Sequence, residues 1–201
     1  MSVSVLAGLG NPGIPYAETR HNLGFRVIDA LASRHNLVWK LEKRLLSEVS
    51  SLQRSGSSWR LVKPQTFVNA SGGALHAAVR YFKVEAESVI VIYDDIHLEL
   101  GRLKINREGG PGGHNGVRDV IRRLGNRFIR FRVGIGAKYP PEIGLADFVL
   151  GKLTREEADL IQKKMEHYLQ ALAVLMDLGP ESAMNQFNRR ENRNDPDKKI
   201  L

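Results

Sequence analysis

The chain has 201 residues, 42% hydrophobic and 26% charged, which excludes a disordered or membrane-embedded polypeptide and gives one globular domain enough apolar material for a core. Lysine and arginine total 30 against 22 acidic residues, and this formal charge of +8 suits an anionic partner such as nucleic acid, or serves solubility alone. The absence of cysteine rules out a disulfide framework, a thiolate nucleophile and a cysteine-ligated zinc site, in keeping with a reducing cytoplasm.

The apolar run from Val3 to Leu9 is too short for a signal peptide or a membrane span. Residues 3–8 (VSVLAG) read instead as a buried strand that ends in the loop GLGNPGIPYAETRHNLGF. Gly8, Gly10 and Gly13 match the G-x-G-x-x-G spacing of dinucleotide-binding turns. That fingerprint requires a helix to start at the turn, whereas Pro12 and Pro15 push Asn11 and Ile14 toward extended backbone. The acidic residue at about the expected distance, Asp29, also falls within a helical pattern rather than after a strand. The loop is better read as a frame for Asn11 and His21.

Residues 25–35 predict an amphipathic helix, followed by a hairpin of strands 48–53 and 58–63 around Arg54-Ser55-Gly56-Ser57. A loop with Thr66, Phe67, Val68 and Asn69 leads to a helix near Ser71, which is a candidate N-cap, with Leu75, Ala78, Val79 and Phe82 on one face. The continuous apolar run SVIVIY, residues 88–93, predicts a central strand covered on both faces and ending at Asp94-Asp95.

A short basic strand with Arg102, Lys104 and Arg107 then opens a glycine-rich loop that ends in His114-Asn115. A helix on Val117, Val120, Ile121 and Leu124 precedes strand 129–135, where Arg130 and Arg132 alternate with Phe131 and Val133 to make one face basic. Residues 140–153 read as a connection, and Thr154 with Glu157 marks a capping box opening a long helix that Gly179-Pro180 stops. A short helix over 182–187 completes one α/β domain, residues 1–188, with a twisted mixed sheet and helices on both faces; the polar tail 189–201 is expected to be flexible.

Three loops follow predicted strand ends, at Asn11 to His21, Thr66 to Asn69, and Asp94-Asp95. If those strands are neighbours, Asn11, His21, Asn69 and Asp94 converge in the crevice beyond the sheet's carboxyl edge, with Asn115 brought in by the glycine loop. A histidine paired with a carboxylate is the minimal general-base unit, and asparagines orient water or donate to an oxyanion. No serine or threonine has a nucleophile-elbow context and no cluster has familiar metal spacing, so such a base would act on water directly. The same residues also admit structural roles: a hydrogen-bonded core histidine, an acidic turn, loop-holding asparagines, a core Phe67 and a solvated basic strand face. The residues define a cleft and a base but name no substrate.

GLGNPGIPYAETRHNLGF, PQTFVNASG, DDIHLELG, GGPGGHNGVRDVI and FRVGIG, in this order and spacing, resemble the bacterial-type peptidyl-tRNA hydrolases from about Val5 to Leu150, and the resemblance continues through the C-terminal helix. The resemblance implies a cytoplasmic, monomeric hydrolase, without metal or cofactor, that cleaves the peptide–tRNA ester and recycles tRNA from stalled or aborted translation. It implies that His21 activates water with support from Asp94, and that Asn11 helps to discriminate N-blocked peptidyl substrates. Asn69 and Asn115 would bind the ester end and peptide backbone; Tyr16, Phe67 and His114 would line the site; Lys104, Arg107, Arg130 and Arg132 would grip tRNA phosphates.

Two departures from the family pattern stand out. Val68 replaces the usual methionine, reshaping the substrate groove, and Asn106 falls where a clamp residue is commonly basic, leaving Lys104 or Arg107 as substitutes. Two other classes compete: a catalytically inactive RNA-binding protein on the same scaffold, and a nucleotide-cofactor enzyme through the glycine spacing.

Overall fold

The computed structural model describes residues 3–189. The chain runs β1 (Val3–Gly8), α1 (Leu23–Arg34), β2 (Lys40–Glu42), β3 (Ser47–Arg54), β4 (Ser57–Pro64), α2 (Ser71–Phe82) and β5 (Val89–Asp95). It continues through β6 (Leu103–Asn106), α3 (Asn115–Leu124), β7 (Ile129–Gly134), α4 (Leu145–Leu150) and α5 (Arg155–Phe187). Seven strands make one sheet in the order β2-β3-β4-β1-β5-β7-β6. The central strands β4, β1, β5 and β7 are mutually parallel, whereas β2, β3 and β6 add antiparallel edges.

The two-residue side-chain period of β5 explains the layers. Ile90 and Ile92 join the core beneath α1 and α5, while Val89, Val91 and Tyr93 join the core beneath α2 and α3. Each fully buried aliphatic side chain contributes about 1.5–3 kcal/mol, so an apolar run such as VIVI is stable only in a strand covered on both faces. The single-domain α/β architecture with helices on both faces therefore follows the sequence pattern. Among the described residues, no helix is long and apolar enough to cross a membrane. The expected tail 189–201 lies, apart from Arg189, outside the described residues.

Local signals had mixed outcomes. Ser55 and Gly56 both adopt positive φ, 48° and 74°, as a two-residue hairpin turn requires. The capping box at Thr154 and Glu157 is present, and Gly179 leaves helical geometry at φ 82°, breaking α5 before Pro180. Ser71 is not the N-cap of α2: that position is Ala70, and the Ser71 hydroxyl is buried without a hydrogen-bond partner. The stretch 140–153 is not only a connection, because Leu145–Leu150 form α4. With six residues and Gly144 as its cap, α4 carries too little periodicity to stand out in the sequence.

The chain leaves β1 toward β4 on one side and then returns to place β5 on the other. This switch point opens a crevice above the carboxyl ends of β4, β1 and β5. Glycines let the first loop lie close to α1 there: a Cβ on Gly8 would sit 2.4 Å from the Gly24 carbonyl oxygen, and one on Gly10 would sit 2.8 Å from the Phe25 ring. Two short 3-10 turns, Ile14–Tyr16 and Arg20–Asn22, follow Gly13, and α1 begins as late as Leu23. The first turn of α1 is bound to this loop's own backbone, the Phe25 N–H donating to the Leu9 carbonyl at 3.2 Å, and no helix starts at the glycine turn itself, so the geometry of a dinucleotide turn is absent from this loop.

Candidate active site

Asp94 sits at the end of β5, 2% exposed, and accepts from two histidines. His21 Nδ1 lies 2.8 Å from Oδ1 and 3.0 Å from Oδ2 of Asp94, and His114 Nε2 lies 3.1 Å from Oδ1. The tautomers follow from the partners. His114 is the N-cap of α3 and its Nδ1 accepts the Val117 backbone N–H at 3.2 Å, so its proton is on Nε2, facing Asp94. His21 likewise donates from Nδ1, which leaves its Nε2 as the basic atom.

The electrostatics match that assignment. Burial opposes charge on His21, but the adjacent Asp94 carboxylate and its hydrogen bond outweigh it and raise the imidazole above the ordinary value of 6.5. Burial would raise Asp94, yet the two histidines hold it well below the usual carboxylate range. Tyr93, edge-on to His114 with ring centroids 5.2 Å apart, is pushed by burial up to about 12 and remains a neutral phenol.

Asn11 and Asn22 lock the first loop by exchange. The Asn11 N–H donates to Asn22 Oδ1 at 2.8 Å, and Asn22 Nδ2 donates to the Asn11 carbonyl at 2.9 Å. Asn11 Oδ1 in turn accepts the Val68 N–H at 2.8 Å, stitching the β1 loop to the β4 loop. With that oxygen engaged, the Asn11 amide nitrogen is the group left to address a ligand. Val68 is buried, whereas Asn69, Phe67 and Asn115 are exposed along the cleft. Tyr16 packs edge-to-face on Phe67 at 6.1 Å, and Asn115 accepts from Arg118 at 2.9 Å.

These side chains line a cavity of about 350 Å³, a size suited to a small organic group. Asn11, Tyr16, His21, Phe67, Val68, Asn69, Asp94, His114 and Asn115 are all brought together there. Several further residues at the cavity were not assigned a role from the sequence. Asn22, Asp95 and Ile96 adjoin residues already singled out, and Leu145, Ala146, Val149 and Leu150 form an apolar wall from α4. The adjacency of Asn22 to His21 was the only available signal for the first, and α4 offered none.

The basic residues divide. Lys104 stands directly across from Arg132 in the β6–β7 register, a like-charge pairing that an anion would relieve. Arg132 is braced by Asp95 at 2.7 Å and by Asn106 at 3.0 Å, and Arg107 pairs with Glu181 at the surface. Arg130 corrects the expectation of a uniformly basic strand face. It is 1% exposed, and its guanidinium donates to the carbonyls of Arg107, Gly109, Asn126 and Phe128. Its charge stays inside because the chain around it offers oxygens in the planar fork that arginine fills.

The potential ligand atoms of His21, Asp94 and His114 lie within 4.8 Å of one another, close enough to share a cation, a proximity that sequence spacing did not reveal. Hydrogen bonds of 2.8–3.1 Å account for the same closeness.

A base whose tautomer is fixed by a buried acid needs a proton to take. An imidazole held by a buried carboxylate, with asparagine side chains around the same cavity at the edge of a mixed α/β sheet, suits the class of hydrolases that activate water with a histidine base. Comparison with known proteins narrows that class. The family profile described as peptidyl-tRNA hydrolase matches residues 5–195. Similar proteins include the peptidyl-tRNA hydrolases of Thermotoga petrophila, 43% identical over 94% of this chain and 99% of its own, and of Caldanaerobacter subterraneus, 43% identical over 92% and 98%. The crystal structure of peptidyl-tRNA hydrolase from Acinetobacter baumannii superposes with a TM-score of 0.87 at 32% identity, covering 92% of this chain and 94% of that one. The chain belongs to the peptidyl-tRNA hydrolase family, and it is a hydrolase of peptidyl-tRNA.

Proposed function

We propose that His21 Nε2 is the general base for water attack on the ester between peptide and tRNA. The observation that carries this reading is the His21 Nδ1–Asp94 contact of 2.8 Å, which leaves Nε2 unprotonated. Water gives a proton to Nε2 while its oxygen adds to the ester carbonyl carbon. The tetrahedral intermediate collapses by breaking the bond to the ribose oxygen, and that oxygen takes the proton from the imidazolium. The products are an intact tRNA hydroxyl and the peptide's carboxylic acid, which gives its remaining proton to solvent and leaves as the carboxylate. Asp94 stabilises the transient imidazolium, as a buried carboxylate does for a catalytic histidine.

Asn69 and Asn115 flank the cavity, placed to hold the ester end and the peptide backbone, with the Asn11 amide nitrogen available to the peptide. Tyr16, Phe67, His114 and Val68 shape the groove. Lys104, Arg107 and Arg132 form the phosphate-gripping set, with Arg130 assigned to the fold instead. No step requires a metal or cofactor. The reading extends to a monomer acting in the cytoplasm, where translation produces its substrate.

The test is release of peptide from an N-acetyl-aminoacyl-tRNA compared with the unblocked ester, with and without EDTA. Selective, EDTA-insensitive cleavage supports the reading. Loss of activity in EDTA, restored by a divalent cation, would instead assign the His21–Asp94–His114 cluster to metal binding.

A further inference from the structure

Arg20 stands beside His21 in sequence, yet its side chain reaches the segment joining α4 to α5. Its Nη1 donates to the Lys152 carbonyl at 2.7 Å and its Nη2 to Glu157 Oε2 at 2.6 Å. The guanidinium lies 4.7 Å over the Phe148 ring. The backbone is tied as well: the Arg20 N–H donates to the Gly151 carbonyl at 3.0 Å, and Thr19 forms an antiparallel bridge with Lys152. Gly151 leaves room for this approach, since a Cβ there would sit 3.2 Å from Arg20 Nη1.

Phe148 and Val149 are successive residues of one helical turn. The ring that stacks under Arg20 therefore fixes the rotation of α4, and with it which of its side chains turn into the cleft. Those side chains, Leu145, Val149 and Leu150, are the apolar wall facing the polar site. A single guanidinium thus joins the turn that carries the base to the helix that carries the wall, and to the capping box that starts α5. Glu157 serves two masters there, accepting from the Thr154 N–H at 2.7 Å as well as from Arg20.

We propose that Arg20 is a positioning residue that fixes the distance and rotation of α4 relative to His21, making this helix the surface that contacts the last side chain of the peptide and favours a bulky apolar one. The inference rests on the hydrolase reading of the site. Arg20 acts through α4 and touches neither the base nor its acid partner in the contacts described. Its loss is therefore felt by substrates that use the wall and not by the titration of the base.

The experiment compares kcat and KM for N-acetyl-phenylalanyl-tRNA and N-acetyl-glycyl-tRNA in wild type, Arg20→Met and Arg20→Lys, with thermal unfolding of each. Wild-type turnover of both substrates is the control that separates failure of this inference from failure of the hydrolase reading. In Arg20→Met, KM for the phenylalanyl ester is expected to rise about tenfold, the glycyl ester to change by less than about twofold, and the acid limb of the pH profile to stay in place. Arg20→Lys should recover part of the loss, since an ammonium reaches Glu157 or the Lys152 carbonyl but cannot bridge both as the fork does. Equal losses for both esters, or a displaced acid limb, would overturn the proposal. If Arg20→Met fails to fold, Arg20→Lys decides: its ammonium cannot hold Glu157 and the Lys152 carbonyl together while stacking flat on Phe148, and an unchanged phenylalanyl-to-glycyl ratio in that folded variant would overturn it equally.

Discussion

Replacing Asp94 with asparagine probes the pairing on which the chemistry depends. The carboxylate accepts from His21 through both oxygens, at 2.8 and 3.0 Å, and from His114 through Oδ1 at 3.1 Å. An asparagine can keep one oxygen at the shared Oδ1 position, but its NH2 group then faces His21 Nδ1–H, donor against donor. The change removes a charge-assisted hydrogen bond of about 1.5–3 kcal/mol, together with the device that fixes the tautomer. Together these losses place the fall in kcat/KM between about 10² and 10⁴.

The pH profile gives the sharper signature. His21 is active as the free base, so activity rises with pH through its pKa, which Asp94 holds above the ordinary 6.5 against the effect of burial. Once the carboxylate is gone, burial alone remains, and burial lowers an imidazole. The residual activity of Asp94→Asn should therefore have its acid limb displaced to lower pH, measured as kcat/KM for N-acetyl-aminoacyl-tRNA from pH 5 to 9. A limb that stays in place, or a fall of less than about tenfold, would refute the assigned pairing.

Other perturbations separate structure from chemistry. Gly24→Ala would place a Cβ 2.4 Å from the Ile92 carbonyl oxygen and 2.5 Å from that of Leu9, overpacking α1 against the sheet. Thermal unfolding should show a loss of about 3 kcal/mol, roughly 6–12 °C in Tm. Lys104→Ala should weaken tRNA binding and reduce the slope of log K against log salt by about 1, whereas Arg130→Ala should leave that slope alone and lower stability by about 3 kcal/mol through its abandoned carbonyls. Salt titrations of both variants, with unfolding curves, check that division. Asn22→Ala breaks both hydrogen bonds that Asn22 makes to the Asn11 backbone, leaving only the Val68 N–H on the Asn11 side chain, and is expected to lower kcat/KM by about tenfold or more without moving the acid limb.

The elements that the sequence disclosed are those with strong, local causes. The VIVI run could only be a doubly covered strand, Ser-Gly could turn a hairpin, and Thr154 with Glu157 could open a helix. The polar residues of the cleft were legible because each follows a strand end. What stayed hidden depends on pairings across the chain. Arg130 and Arg132 are indistinguishable in the pattern IRFRVG, and only the carbonyls of Arg107, Gly109, Asn126 and Phe128 draw the first inward. His114 reads as one more loop residue until α3 fixes it by its Nδ1. Ser71 has the chemistry of a cap, but the helix begins one residue earlier than that role allows.

The measurement that bears most directly on the assignment of the base is peptide release from N-acetyl-aminoacyl-tRNA by His21→Ala, set beside its affinity for tRNA. His21 is buried at the cavity floor and pairs only with Asp94 among the hydrogen bonds described, so its truncation should leave the phosphate-gripping surface intact. We expect turnover to fall by at least about 10³ while tRNA affinity stays within about twofold. Turnover near the wild-type rate in a folded, tRNA-binding His21→Ala would contradict the assignment of His21 as the base.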